Sequence, residues 1–118
     1  MDARIRQALE ATYGDRCTVY RRTSAKGPDK VTRQTEAAVA TNVACALSQR
    51  RNRDLSLGNE SASVYNSYTL FCSPDVGVTA GDKVVVASAT GQTFTLWAGR
   101  PFIYVSHAEV PLYEEERA

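Results

Sequence analysis

The chain has 118 residues, enough to bury roughly two-thirds of its unfolded surface as one domain (1–118) without disulfide or metal staples. At 43% hydrophobic and 23% charged it sits near the globular average, which excludes wholesale disorder, collagen-like repeats and long coiled coils. Its net charge of +1 conceals a polarity, because residues 1–53 carry eleven Lys or Arg against five acids and residues 54–118 carry three against eight.

Such an imbalance can bind nucleic acid, let copies attract one another, or cancel once strands interleave in space. No apolar run approaches the roughly 20 residues needed to cross a bilayer. The opening MDARIRQALEATYG also lacks the apolar stretch of a secretory signal, so a chain that stays where it is made and meets no membrane is expected. Cys17, Cys45 and Cys72 are odd in number, lack paired short spacing and sit among apolar neighbours. That pattern reads as reduced core thiols made in a reducing cytoplasm.

Ile5, Ala8 and Leu9 recur at helical spacing and predict a short helix over 3–13, with Gly14 as a left-handed cap. From Arg16 the period changes to two. Cys17 and Val19 share a face, which predicts a strand, and Ser24 to Asp29 is a turn-rich break. Val31–Val39 and Asn42–Gln49 are read as two further strands, although Glu36 to Ala40 is also compatible with helix.

Residues 50–62 are then a polar stretch with only Leu55 and Leu57 as large apolar side chains, and they predict a long loop. Unstructured loops of more than about 12 residues are uncommon inside compact domains and tend to be functional or disordered. Tyr68, Leu70 and Cys72 share one face of the following strand, opposite Tyr65, Ser67, Thr69 and Phe71. Ser73-Pro74-Asp75 closes it.

Lys83 to Ser88 is apolar enough to expect cover on both faces, and Thr90-Gly91 turns it into Gln92–Trp97 as a hairpin. Phe102–Val105 leads into a last strand in which Val110 and Leu112 align. Pro111, lacking a ladder donor, predicts an edge strand there. The fold class is mainly β: a small antiparallel barrel of six or seven strands with a short N-terminal helix and a long loop.

The residues give little support for bond chemistry. His107 is the one histidine and no Gly-x-Ser-x-Gly elbow accompanies it. One His and three scattered Cys offer no zinc pattern, and Walker A and GxGxxG turns are absent. The expectation is a protein without enzyme activity, metal or cofactor. Glu114-Glu115-Glu116 reads as a solvated tail. Arg50, Arg51 and Arg53 form the one local basic cluster, with reach to a phosphate backbone. With Tyr65, Tyr68 and Phe71 as a stacking platform they define an alternative function, a single-stranded nucleic-acid-binding, OB-like barrel.

Several runs carry a family likeness. Tyr20-Arg21 before a turn, Ala44-Cys45-Ala46-Leu47-Ser48, Leu70-Phe71-Cys72-Ser73-Pro74-Asp75-Val76 and Ala80-Gly81-Asp82-Lys83-Val84 resemble the head-closure proteins of long-tailed bacteriophages. These are also called stopper or head-completion proteins. Ser106-His107-Ala108-Glu109-Val110-Pro111-Leu112 is similar to the family's closing strand, and the likeness runs from Asp15 to Arg117.

The resemblance implies a component of the virion's head–tail connector, made in the host bacterial cytoplasm and monomeric when isolated. On assembly it would join a ring beneath the portal and adaptor, close the DNA channel near the packaged end, and offer a platform to tail-completion proteins. The family's channel-closing loop would correspond to Arg50, Arg51, Asn52, Arg53, Asp54, Leu55, Ser56, Leu57, Gly58, Asn59 and Glu60, there contacting neighbouring subunits or DNA.

Overall fold

The computed structural model describes residues 3–26, 28, 31–53 and 64–114. Helix α1 spans Ala3–Glu10 and is followed by seven strands: β1 (Asp15–Lys26), β2 (Thr32–Arg53), β3 (Val64–Cys72), β4 (Lys83–Ala87), β5 (Thr93–Ala98), β6 (Phe102–Ile103) and β7 (Ala108–Tyr113). In the sheet they lie in the order β3-β2-β1-β4-β5-β7-β6, and β3 also pairs with β7. That pairing closes six strands into an antiparallel barrel and leaves β6 as an extra strand on β7. The barrel class expected from the alternating pattern is the one that forms.

Alternation decides what the barrel encloses. Cys17 and Val19 of β1, Cys45 of β2, Tyr68, Leu70 and Cys72 of β3, Val84 and Val86 of β4, Leu96 and Ala98 of β5, and Ala108, Val110 and Leu112 of β7 all point inward and are buried. A buried Val or Leu contributes roughly 1.5–3 kcal/mol. β4 is covered on one face only, because Val85 alternates outward and stays half-exposed. The expectation of cover on both faces is therefore corrected.

The barrel is strongly sheared. From Tyr20 the register runs through Lys83 and Trp97 to Tyr113. From the adjacent Leu112 it continues through Tyr68 to Gln49. It thus returns to β2 about a dozen residues beyond Ala38, the direct partner of Tyr20. One strand must therefore serve β1 with its first half and β3 with its second.

This is why the two strands read at 31–39 and 42–49 are one strand of 22 residues. The bend lies between them. Thr41 and Asn42 together face Thr18, and Val39 is passed over between Ala38 opposite Tyr20 and Ala40 opposite Val19. Asn42 takes φ 51°, which Asn tolerates better than β-branched residues, and its N–H donates to Thr18 Oγ1 at 3.4 Å. Such bulges add the twist and curvature that carry β2 from one neighbour to the other.

Three local expectations change. The helix ends at Glu10 without a left-handed Gly14; Thr12 N–H donates to Leu9 O at 3.0 Å and Tyr13 N–H to Glu10 O at 3.1 Å. β7 is an interior strand, flanked by β3 and β5. Pro111 is tolerated because its carbonyl, and hence its missing donor, faces the Gly99 bend between β5 and β6, where Gly99 N–H donates to Pro111 O at 2.8 Å. Finally, Arg50–Arg53 are not loop but the end of β2, opposite Ser67–Val64 of β3.

Candidate functional site

Two hairpin arms extend from opposite ends of β2. β1 pairs with β4 only over Arg16–Tyr20, so Arg21–Lys26 and Thr32–Ala37 continue as a two-stranded ribbon. β3 pairs with β7 only over Tyr68–Cys72, so Arg50–Arg53 and Val64–Ser67 form a second ribbon. The Cα radius of gyration, 16.8 Å, exceeds the roughly 13–14 Å of a compact chain of this length, in keeping with such projections.

The β2–β3 arm carries the residues singled out in the sequence. Arg50 is exposed, and its carbonyl accepts from Ser67 Oγ at 3.5 Å. Arg51, Asn52 and Arg53 follow in register with Asn66, Tyr65 and Val64. Asp54, Leu55, Ser56, Leu57, Gly58, Asn59 and Glu60 lie outside the described residues, as do residues 61–63. Arg50–Arg53 thus belong to a paired stem.

The base of the β1–β2 arm is held by charge. Arg21 Nε and Nη2 donate to Asp82 Oδ1 and Oδ2 at 3.0 and 2.8 Å, and Nη2 also reaches Gly77 O at 2.9 Å. Asp82 accepts in addition from Thr79 N–H at 2.9 Å and Thr79 Oγ1 at 3.2 Å. Burial pushes the Asp82 carboxyl pKa up, but the Arg21 hydrogen bond, the Thr79 donors and the guanidinium charge outweigh it and hold the group below the usual carboxylate range. Beside this clasp, Lys83 Nζ lies 5.1 Å from the Tyr20 ring centroid and 2.7 Å from Glu36 Oε1, tying β4 to β2 across β1.

The turn between β6 and β7 is equally constrained. Tyr104 N–H donates to His107 O at 2.8 Å, and the Tyr104 ring stacks on the imidazole with centroids 4.8 Å apart. His107 Nδ1 meets Ser106 Oγ at 2.9 Å and Nε2 meets Glu109 Oε2 at 2.8 Å. Both ring nitrogens are engaged within their own turn, which gives the single histidine a shape-holding role.

The aromatic platform does not assemble as a surface. Tyr68 is buried, packs near Phe94, and donates its hydroxyl to Glu114 Oε1 at 2.9 Å. Phe71 is half-buried on the outside with its centroid 6.3 Å from His107, and the Tyr65 side chain is outside what is described. The three thiols are free and buried, and Cys45 lies opposite Cys72. No cluster of three or more metal-ligating residues occurs among the described residues, and none of their helices is long and apolar enough to cross a membrane.

The sequence reading missed the Arg21–Asp82 clasp and the exposure of Phe102–Val105. The clasp joins residues far apart in the chain and leaves no local pattern. The Phe-Ile-Tyr-Val run after Gly99-Arg100-Pro101 was visible, but its exposure depends on barrel closure.

With this geometry a likeness to a solved structure becomes informative. The barrel is similar to the phage-like element PBSX protein xkdH from Bacillus subtilis. The two superpose with a TM-score of 0.52 over 83% of this chain and 90% of xkdH, at 13% identity. At that identity the likeness to xkdH is one of fold. No protein-family model matches the chain, and no curated protein matches it in sequence.

Proposed function

We propose that the chain is a structural component of a tailed-phage head–tail connector, forming a ring below the portal and adaptor that closes the DNA channel and provides the tail's attachment platform. The observation that carries this reading is the barrel shared with a phage-element protein over most of both chains. It is supported by the Leu70–Val84 run on which the sequence resembles head-closure proteins. That run ends β3, passes through a 3-10 turn at Pro74–Val76 capped by Ser73, and opens β4.

The mechanism is steric and electrostatic. The barrel forms the wall of the ring, the β2–β3 arm reaches into the channel, and residues 54–60 at its tip obstruct the path. Arg50, Arg51 and Arg53 give that arm a basic stem. Several such stems converging on one axis repel one another unless DNA phosphate or a neighbour's carboxylates lie among them. The closed state therefore includes an anionic partner.

The test is to mix the purified chain with the portal–adaptor complex of the same phage and image the product by electron microscopy. An added ring with density from the β2–β3 arm across the channel is expected, and deletion of residues 54–60 should keep the ring but lose that density. A chain that ignores the connector overturns the reading. Steeply salt-dependent binding of single-stranded DNA by the isolated chain would favour the nucleic-acid module instead.

A further inference from the structure

At the root of the β1–β2 arm two ladders break at the same level. Pairing between β1 and β4 stops at Tyr20, opposite Lys83. At that residue the pairing between β1 and β2 is also interrupted, because Val39 is passed over between Ala38 opposite Tyr20 and Ala40 opposite Val19. Beyond it, the ribbon of Arg21–Lys26 and Thr32–Ala37 has no third strand among the described residues. An interrupted ladder at the root of a two-stranded ribbon is a place where a change of angle can be absorbed.

Apolar packing does not fix that angle. Among the described residues, the outermost members of the core on these two strands are Val19 and the half-buried Ala40, while Ala37, Ala38 and Val39 stand exposed. A segment with so few buried apolar contacts is held by whatever polar ties it makes.

Those ties come from two adjacent residues at the head of β4. Asp82 holds Arg21 on β1 through bonds of 3.0 and 2.8 Å, and Lys83 holds Glu36 on β2 at 2.7 Å. Each strand of the ribbon is therefore gripped once, with the charges in opposite sense. Glu36 lies opposite Arg22, so the two grips are one rung apart, just past the interruption. The barrel side of the grip is anchored: Asp82 accepts from Thr79 N–H, its carbonyl accepts from Ala98 N–H at 2.8 Å, and Gly81 N–H donates to Ala98 O at 2.8 Å. The grips differ in depth, since the Asp82 side chain is 3% exposed whereas those of Lys83 and Glu36 are 28 and 37% exposed.

We propose that Asp82 and Lys83 form a two-point electrostatic latch that sets the angle of the β1–β2 arm, and that with both points released the arm swings about the interruption at Val39 while the barrel stays closed. The latch is a property of the free chain and does not rest on the connector reading. It makes the arm a jointed projection, held in one pose while the ties stand and adjustable once they open.

Distances between paired nitroxides in the whole chain test the latch. Ser24→Cys on the arm and Thr93→Cys at the far end of β5, both exposed positions, form the arm pair. Ser48→Cys with Thr93→Cys forms a barrel pair, and the three native thiols, at most 2% exposed, stay unlabelled. Pulsed electron resonance should find one narrow distance for each pair in the otherwise native chain. Arg21→Ser with Asp82→Asn opens the first tie without leaving a lone buried carboxylate, and Glu36→Lys opens the second. With all three changes the arm-pair distribution should at least double in width while the barrel pair is unchanged. Adding Lys83→Glu restores one tie with its charges exchanged and should narrow the distribution again. An arm pair that keeps its native width with both ties open overturns the proposal. So does a barrel pair that widens by the same factor, or a width that Lys83→Glu leaves unaltered.

Discussion

The Arg21 guanidinium grips the Asp82 carboxylate at two points, 3.0 and 2.8 Å, across the junction between the barrel and the β1–β2 arm. The Asp82 side chain is 3% exposed and that of Arg21 35%. Removing the cation leaves a buried carboxylate with only Thr79 as donor. Arg21→Ala should therefore destabilise the fold by about 2 kcal/mol, less than a fully buried pair would lose, because water reaches the guanidinium. Urea unfolding measures this; a loss below about 0.5 kcal/mol, the scale of an ordinary surface change, would mean that the clasp is incidental.

The same pair predicts a pH dependence. A carboxyl whose folded pKa is depressed adds stability above its unfolded pKa, and that stability is lost as pH falls through the lower folded value. Thermal unfolding should be insensitive to this group from neutral pH to about 5, then weaken below about pH 4. In Asp82→Asn that component is missing, so the gap in melting temperature between variant and wild type should narrow on acidification. A gap constant from pH 7 to about 3 would contradict the assignment.

The thiols should be silent in the native state. Burial pushes the Cys72 pKa up to about 12, and the hydrogen bond that Cys45 donates to Cys17, together with burial, pushes that of Cys45 up; the same bond lowers that of Cys17, which is shielded at 2% exposure. At pH 8 a thiol of pKa about 12 is ionised to roughly one part in 10⁴, and it is also shielded. A chromogenic disulfide reagent should therefore titrate three thiols in denaturant and react with the folded chain only as fast as it opens. Rapid reaction of one thiol in the native protein would contradict the buried placement.

Two glycines should respond in opposite ways to alanine. A Cβ on Gly99 falls 2.8 Å from Tyr113 Cε2 and 3.1 Å from Pro111 Cγ, so Gly99→Ala forces the β5–β7 contact apart and should cost about 1–3 kcal/mol. A Cβ on Gly14 meets Ala89 Cβ at 3.7 Å, an ordinary contact, and its φ is not left-handed. Gly14→Ala should be neutral or stabilising by up to about 1 kcal/mol. Chemical denaturation of both variants compares them directly.

The candidate site was legible in part. Arg50–Arg53 read as a basic cluster, but their strand pairing is not legible, because consecutive polar residues carry no apolar alternation to read. Pro111 misled for a related reason. The rule that proline marks an edge is about one missing donor, and here that donor would face a bend. Tyr68 illustrates the reverse case: its place on the face of Leu70 and Cys72 already marked it as core.

The period-two pattern of Cys17 and Val19, of Tyr68 to Cys72, and of Val110 and Leu112 determined by itself that the chain would form short strands enclosing an apolar interior, since a pleated strand must turn alternate side chains to one side. What the tertiary structure alone decided was how those strands close. The shear that returns the register about a dozen residues along β2 makes one strand of two, turns Arg50–Arg53 into the stem of an arm, and leaves Phe102–Val105 outside the wall. Register between strands distant in sequence depends on the fit of the whole barrel, which no local pattern encodes.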